Sequence, residues 1–282
     1  MACAALGARR LLAATTAHEG LDAAAKAGRR AYLGIDPTAD GLHVGNLAAV
    51  MALRQLRASG ARPVALVGGA TGLVGDPSGR DSEREMLTEE RVAQNVAGLR
   101  RDLGRLLDLS PGGEAELVDN LDWMRGISAI DLLRDVGKHF RVTTMLSRES
   151  VRARLERDDA QAGLSFTEFS YQLLQAYDFL HLYRTRDCRI QVGGSDQWGN
   201  IVGGIDLIRR VEGKTDAFGA TIPLLTTKSG QKFGKSMGNA VWLSPEKTSN
   251  YAFYQFFLRQ DDDDVEDLLF RLTELEEAEI AQ

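Results

Sequence analysis

The sequence predicts an α/β protein with a parallel sheet, a helical insertion and a helical C-terminal region. Three observations carry that prediction. Short apolar runs that read as buried strands alternate with longer runs of helical period. Glycine-bearing turns follow the strands, at the sheet edge where ligands of such folds bind. The 282 residues, 44% of them hydrophobic, suffice for one large domain with an insertion or for two modest ones.

In chain order, the first strand covers Tyr32 to Ile35 and leaves through the turn Asp36-Pro37-Thr38. His43-Val44-Gly45 then opens an amphipathic helix stopped by Ser59-Gly60. The first N–H groups of that helix favour an anion, Gly45 admits a ligand close to the backbone, and His43 adds a donor. A second strand, Pro63 to Val67, enters GGATGLVGDPSGR, a glycine-rich loop with Asp76 inside it and Arg80 and Arg84 at its end. A helix over Thr88 to Leu109 precedes the strand AELVDN, which delivers Asn120.

Residues from Asp122 to about Gly163 read as mostly helical and basic, an insertion between two halves of the sheet. Ser165-x-x-Glu168 is a capping box starting a long helix, on which Tyr171, Gln175 and Asp178 fall within about 60° of one another. That face presents either a binding surface or an ordinary exposed polar stripe. Strand Arg189 to Val192 ends in GGSDQWGN and enters another helix, and a strand around Ala220 to Leu225 leads to TTKSGQKFGKSMGN. Lysines among glycines suit a phosphate whose charge moves during reaction. Lys247 to Leu258 and Val265 to Ile280 read as helices.

Composition narrows the partners. A net charge of −6 argues against a broadly basic nucleic-acid coat, while a basic patch on one face stays allowed. Cys3 and Cys188, the only cysteines, lack metal-ligand spacing, and no apolar run reaches the ~20 residues of a membrane helix. The first 17 residues carry Arg9 and Arg10, no acid and much alanine, which fits an organelle transit segment or an ordinary helix.

His43-Val44-Gly45-Asn46 resembles the His-x-Gly-His motif of class I aminoacyl-tRNA synthetases, and Lys232-Phe233-Gly234-Lys235-Ser236 resembles their Lys-Met-Ser-Lys-Ser loop. GIDPTA, GGATGLVGDPSG, SFTEFSYQLLQAYDF and GGSDQWGN narrow the resemblance to tyrosyl-tRNA synthetases of the bacterial and mitochondrial type, from about Ala31 to Ile280. The resemblance implies a Rossmann-like catalytic domain at 31–236 with its insertion at about 122–164. Residues 1–30 would form an N-terminal segment, and 237–282 the start of a helical anticodon-binding part.

It also implies a reaction: tyrosine and ATP, accompanied by Mg²⁺, form tyrosyl-adenylate, and the tyrosyl group passes to tRNA-Tyr. Thr38, His43, Lys232, Lys235 and Ser236, joined by Arg80 and Arg84, would serve the departing pyrophosphate. Tyr32 and Asp178 match the phenol site; Asp76, Tyr171 and Gln175 match the ammonium site, with Gln197 and Asn120 nearby. Gly34, Asp36, Gly45, Gly193 and Asp196 match positions around the amino acid and nucleotide. Arg148, Arg209, Arg210 and their neighbours Arg152 and Arg154 would hold the acceptor stem. Phe166 matches a dimer-interface position, implying a homodimer built through the insertion. The mitochondrial matrix is the expected compartment, the bacterial cytoplasm the alternative.

Two positions depart from the family pattern: Asn46 replaces the second histidine, and Leu33 stands where relatives carry a small polar residue. Tryptophanyl-tRNA synthetase is the nearest rival resemblance, and a non-catalytic RNA-binding derivative a second.

Overall fold

The structure, a computed structural model, describes residues 1–78, 86–156, 163–226, 233, 235–236 and 239–281. Six strands form one sheet: β1 (Ala14–Thr15), β2 (Arg30–Ile35), β3 (Arg62–Val67), β4 (Glu116–Asp119), β5 (Cys188–Gly194) and β6 (Phe218–Ile222). Their order is β1-β6-β5-β2-β3-β4, parallel throughout except for β1. The chain winds outward from β2 through β3 to β4 and then restarts beside β2 with β5 and β6. The crevice between β2 and β5 is therefore the switch point of the sheet.

Side chains alternate across the sheet as strand geometry demands. Leu33, Ala65, Val67, Ile190 and Val192 join the core formed with the helices His18–Lys26, Val44–Ala58 and Glu89–Leu106. Tyr32, Val64, Leu66 and Cys188 face the opposite core, under the helices Phe166–Arg186 and Trp198–Glu212. Both faces are covered, which is why these strands are apolar runs rather than alternating ones. The N-cap half of the capping box predicted at Ser165 is present: its Oγ accepts from the Glu168 N–H at 3.2 Å, while the Glu168 carboxylate pairs with Arg154.

The opening residues are part of this core. Ala2, Leu6 and Leu11 are buried, helix Ala2–Ala8 packs on His18–Lys26 and Val44–Ala58, and β1 pairs antiparallel with the edge strand β6. Arg9 donates to the Leu275 and Thr273 carbonyls at 2.5 and 2.6 Å.

Those two bonds explain one correction. The helix expected over Val265 to Ile280 is two helices, Asp262–Leu272 and Glu277–Ile280, because the carbonyls between them turn out to meet Arg9. A third cluster, Val44, Leu225, Phe233, Val241 and Leu268, with Phe253, Phe256 and Phe257 packed on it, ties the C-terminal helices to the sheet.

Candidate active site

A cavity of about 280 Å³ opens at the switch point. Its floor is buried: Tyr32 and Asp178 are 1% and 2% exposed. Its wall carries Tyr171, Gln175, Asp36, Asp76 and Gln197, and its rim Gly34, Thr38, Gly45, Asn46 and Gly193. The long helix thus delivers Tyr171, Gln175 and Asp178 to one place, as its spacing predicts. Leu33 also lines the cavity and brings no polar side-chain atom to it.

Hydrogen bonds fix the polar groups before any ligand arrives. Asp178 accepts from Asn120 Nδ2 at 3.0 Å and from Trp123 Nε1 at 2.9 Å. Burial pushes its carboxyl up to about 7, against the pull of those two donors, and Asp36 and Asp119 push in the same direction as burial. Asn120 also donates to Thr71 Oγ1, and its Oδ1 takes the Ala70 N–H at 2.7 Å, so the turn after β3 is pinned to the end of β4. Asp36 accepts from Thr71 at 2.7 Å and from the Tyr171 hydroxyl at 2.8 Å. Gln197 donates to Asp76 at 2.8 Å, and Asn200 donates to Gln175 at 3.0 Å.

Burial raises the Tyr32 and Tyr171 phenols well above their usual range, so both are neutral O–H groups at neutral pH. Among the described residues, three carboxylates and no cation line this cavity. Such a wall suits a ligand carrying an ammonium group and a hydroxyl.

The rim is the start of helix Val44–Ala58. His43 is its N-cap, and Asn46 Oδ1 accepts the His43 backbone N–H at 3.1 Å. The amide that replaces the family's second histidine therefore caps the helix. The His43 ring lies over Gly45, where an added Cβ would meet its Cε1 at 2.8 Å. Backbone leading from the lysine loop comes to the same corner: Val44 N–H bonds the Val241 carbonyl at 2.9 Å, and His43 faces Trp242 with ring centroids 6.1 Å apart. Phe233 packs on Phe256 at 5.1 Å, and Lys235–Ser236 pairs with Asn239–Ala240. The two motifs at opposite ends of the sequence thus meet.

Other predicted residues lie elsewhere. Asp196 is exposed beside Gln197. Arg209 and Arg210 are exposed on the helix Trp198–Glu212, with Arg209 paired to Asp206 at 2.6 Å. The Arg148 side chain runs past Gly199 and lays its guanidinium over Gly203, where an added Cβ would collide with it, and burial lowers its pKa. Phe166 is 76% exposed. Arg80, Arg84 and Lys232 lie outside the described residues, as do the side chains of Lys235 and Ser236. Arg154, expected among the acceptor-stem cations, is corrected: its side chain is 1% exposed and pairs with Glu168 at 3.3 Å. Three residues of the cavity and its support escape the sequence reading: Thr71, Trp123 and Gln191.

A parallel sheet with a cavity at its switch point, beside a helix N-terminus, defines a doubly wound α/β protein of the kind that binds its ligand in that crevice. The sequence profile described as "tRNA synthetases class I (W and Y)" matches residues 25–282, and the chain belongs to that family. Tyrosine–tRNA ligase of Listeria monocytogenes serotype 4b is 53% identical over 250 residues, 88% of this chain and 58% of the relative. That of Rhodopirellula baltica is 52% identical over 272 residues, 96% of this chain and 61% of the relative. The crystal structure of a C-terminally truncated Aspergillus nidulans mitochondrial tyrosyl-tRNA synthetase superposes with a TM-score of 0.85 at 32% identity. That likeness covers 99% of this chain and 82% of that one. The chain thus spans less than two thirds of the length of these curated relatives.

Proposed function

We propose that this chain activates tyrosine with ATP and, in the whole protein, transfers it to tRNA-Tyr. The observation that carries this reading is the cavity floor, where the Tyr32 hydroxyl and the Asp178 carboxylate sit buried together. A substrate phenol accepts from Tyr32 and donates to Asp178. Phenylalanine leaves the Tyr32 hydroxyl unpaired and gives Asp178 no further donor, a form of discrimination for which tyrosyl-tRNA synthetases are themselves the known example. Asp76, Tyr171 and Gln175 take the ammonium group, and Asn120 holds Asp178 in place.

The substrate carboxylate is already the nucleophile. One of its oxygens forms a bond to the α-phosphorus while the bond from that phosphorus to the pyrophosphate oxygen breaks. Alignment and charge stabilisation are what the protein supplies. Thr38 and His43, with Lys232, Lys235, Ser236, Arg80 and Arg84, neutralise the leaving pyrophosphate. Gly34, Asp36, Gly45, Asn46, Gly193, Asp196 and Gln197 surround the adenylate. Mg²⁺ comes with the nucleotide. In the second step a terminal ribose hydroxyl of the tRNA attacks the tyrosyl carbonyl and AMP leaves.

Arg148, Arg209 and Arg210 serve the acceptor stem in this reading, and a second copy docks on the insertion around Phe166. The catalytic domain extends to 236 with its insertion at about 122–164 and takes in the N-terminal residues that join its sheet and core, and 237–282 belongs to the helical anticodon-binding part. The mitochondrial matrix is favoured by the likeness to a mitochondrial synthetase, and a bacterial cytoplasm by the bacterial relatives. Pyrophosphate exchange with tyrosine, and separately with tryptophan, tests the proposal: exchange with tyrosine alone supports it, and exchange with tryptophan sinks the Tyr32 and Asp178 assignment.

A further inference from the structure

We infer that His181 is a positioning residue for amino-acid selection: its imidazole, stacked on the Trp123 indole, holds the indole N–H on Asp178. The inference rests on the reading of Asp178 as the acceptor of the substrate phenol.

The geometry is a three-member chain running outward from the cavity floor. Asp178 Oδ1 accepts from Trp123 Nε1 at 2.9 Å, and the Trp123 ring lies parallel to the His181 ring, with centroids 4.4 Å apart and planes 12° off. His181 is three residues beyond Asp178, so helix Phe166–Arg186 presents both on one face. A single rigid element therefore supplies the carboxylate and the ring that covers the group donating to it. Trp123 itself comes from the four-residue helix Leu121–Met124, a short element with little of its own to fix a side chain.

The chemistry of the stack favours a packing role. Burial, reinforced by Arg186, holds the imidazole below its ordinary pKa, so at neutral pH the contact joins two neutral rings. Tyr177 stands beside the imidazole with centroids 6.3 Å apart and limits its rotation. Without His181 the outer face of the indole meets water and its N–H is free to turn from Asp178. Asp178 then keeps only Asn120 to orient it, and the geometry that separates tyrosine from phenylalanine loosens. A loosened indole acts on the bound phenol rather than on the phosphates, so the effect falls on KM for tyrosine.

The test measures equilibrium binding of radiolabelled tyrosine and tyrosine-dependent pyrophosphate exchange, with thermal unfolding run on every variant to monitor folding. His181→Ala is expected to raise the tyrosine Kd and KM about three- to tenfold, the loss attached to one ring stack and the hydrogen bond it orients. Its kcat stays within about twofold, and His181→Phe, which restores a flat ring, recovers the affinity. On a Trp123→Phe background, His181→Ala adds less than about twofold, because the N–H it positions is already gone. The inference is overturned by a tyrosine affinity within about twofold of the unaltered protein in folded His181→Ala, or by full additivity with Trp123→Phe. A parent protein that binds no tyrosine overturns the functional reading as well, whereas one that binds tyrosine and is indifferent to His181→Ala overturns this inference alone.

Discussion

Tyr32 and Gln191 lie opposite one another in register on β2 and β5, and each ends in a buried polar atom, Tyr32 OH and Gln191 Oε1, with no hydrogen-bond partner among the described residues. A buried polar group without a partner costs about 1–3 kcal/mol. The protein itself gives the Tyr32 hydroxyl no partner, so the group is held for a ligand rather than for the fold. Tyr32→Phe is expected to stabilise the free protein by about 1 kcal/mol, or about 2 °C in Tm, while raising KM for tyrosine at least about tenfold. Calorimetry beside exchange kinetics checks both halves, and a lower Tm in the free variant contradicts the account.

Asp178 sets a pH dependence. Its folded pKa of about 7 lies above the ordinary carboxyl value of 3.8, so the folded state binds the extra proton between those limits. Its contribution to stability is full below about pH 4 and is lost as pH rises through about 7. Substrate selection runs the opposite way, because accepting the phenol O–H needs the ionised carboxylate. We expect kcat/KM for tyrosine to fall as pH drops below about 7, with Asp178→Asn flattening both trends. Urea titrations and exchange assays from about pH 5 to about pH 8.5 read them.

The Arg154–Glu168 pair has side chains 1% and 2% exposed. Glu168→Ala removes this buried charge contact and is expected to cost about 3–5 kcal/mol in urea unfolding. Arg152, 54% exposed in its side chain, pairs with Glu156 at the surface, and Arg152→Ala is expected to change stability by no more than about 1 kcal/mol. Similar losses for the two would mean that Arg154 is not confined as described.

Residues 2–15 place four side chains in the core. Leu11→Ala, at 1% exposure, is expected to lose about 2–5 kcal/mol. Deleting residues 2–15 removes the buried side chains of Ala2, Cys3, Leu6 and Leu11 together with β1, and is expected to leave the protein insoluble or unfolded at about 37 °C. A deleted form that folds and melts like the parent would overturn this account of residues 2–15.

The sheet and the helix face were legible because burial on both sides of a parallel sheet leaves apolar runs, and because a period of 3.6 gathers Tyr171, Gln175 and Asp178. The rest hid for physical reasons. Gln191 sits inside the apolar run RIQV, where one polar residue looks like noise until its register against Tyr32 is known. Trp123 reads as core, since its role depends on one N–H meeting a carboxylate 55 residues away. β1 is two residues long, below any periodicity. The cationic look of Arg154 concealed a buried partner, which composition cannot distinguish from a solvated charge.

The antiparallel pairing of β1 with β6, and the grip of Arg9 on carbonyls 264 and 266 residues further on, set a timetable for biosynthesis. At ~5–20 residues per second the ribosome needs roughly 10–50 s to supply those partners. Helix Ala2–Ala8 can meet His18–Lys26 and Val44–Ala58 early in that interval, whereas the β1 backbone and the Arg9 guanidinium wait for partners that emerge much later, so this stretch docks in two stages.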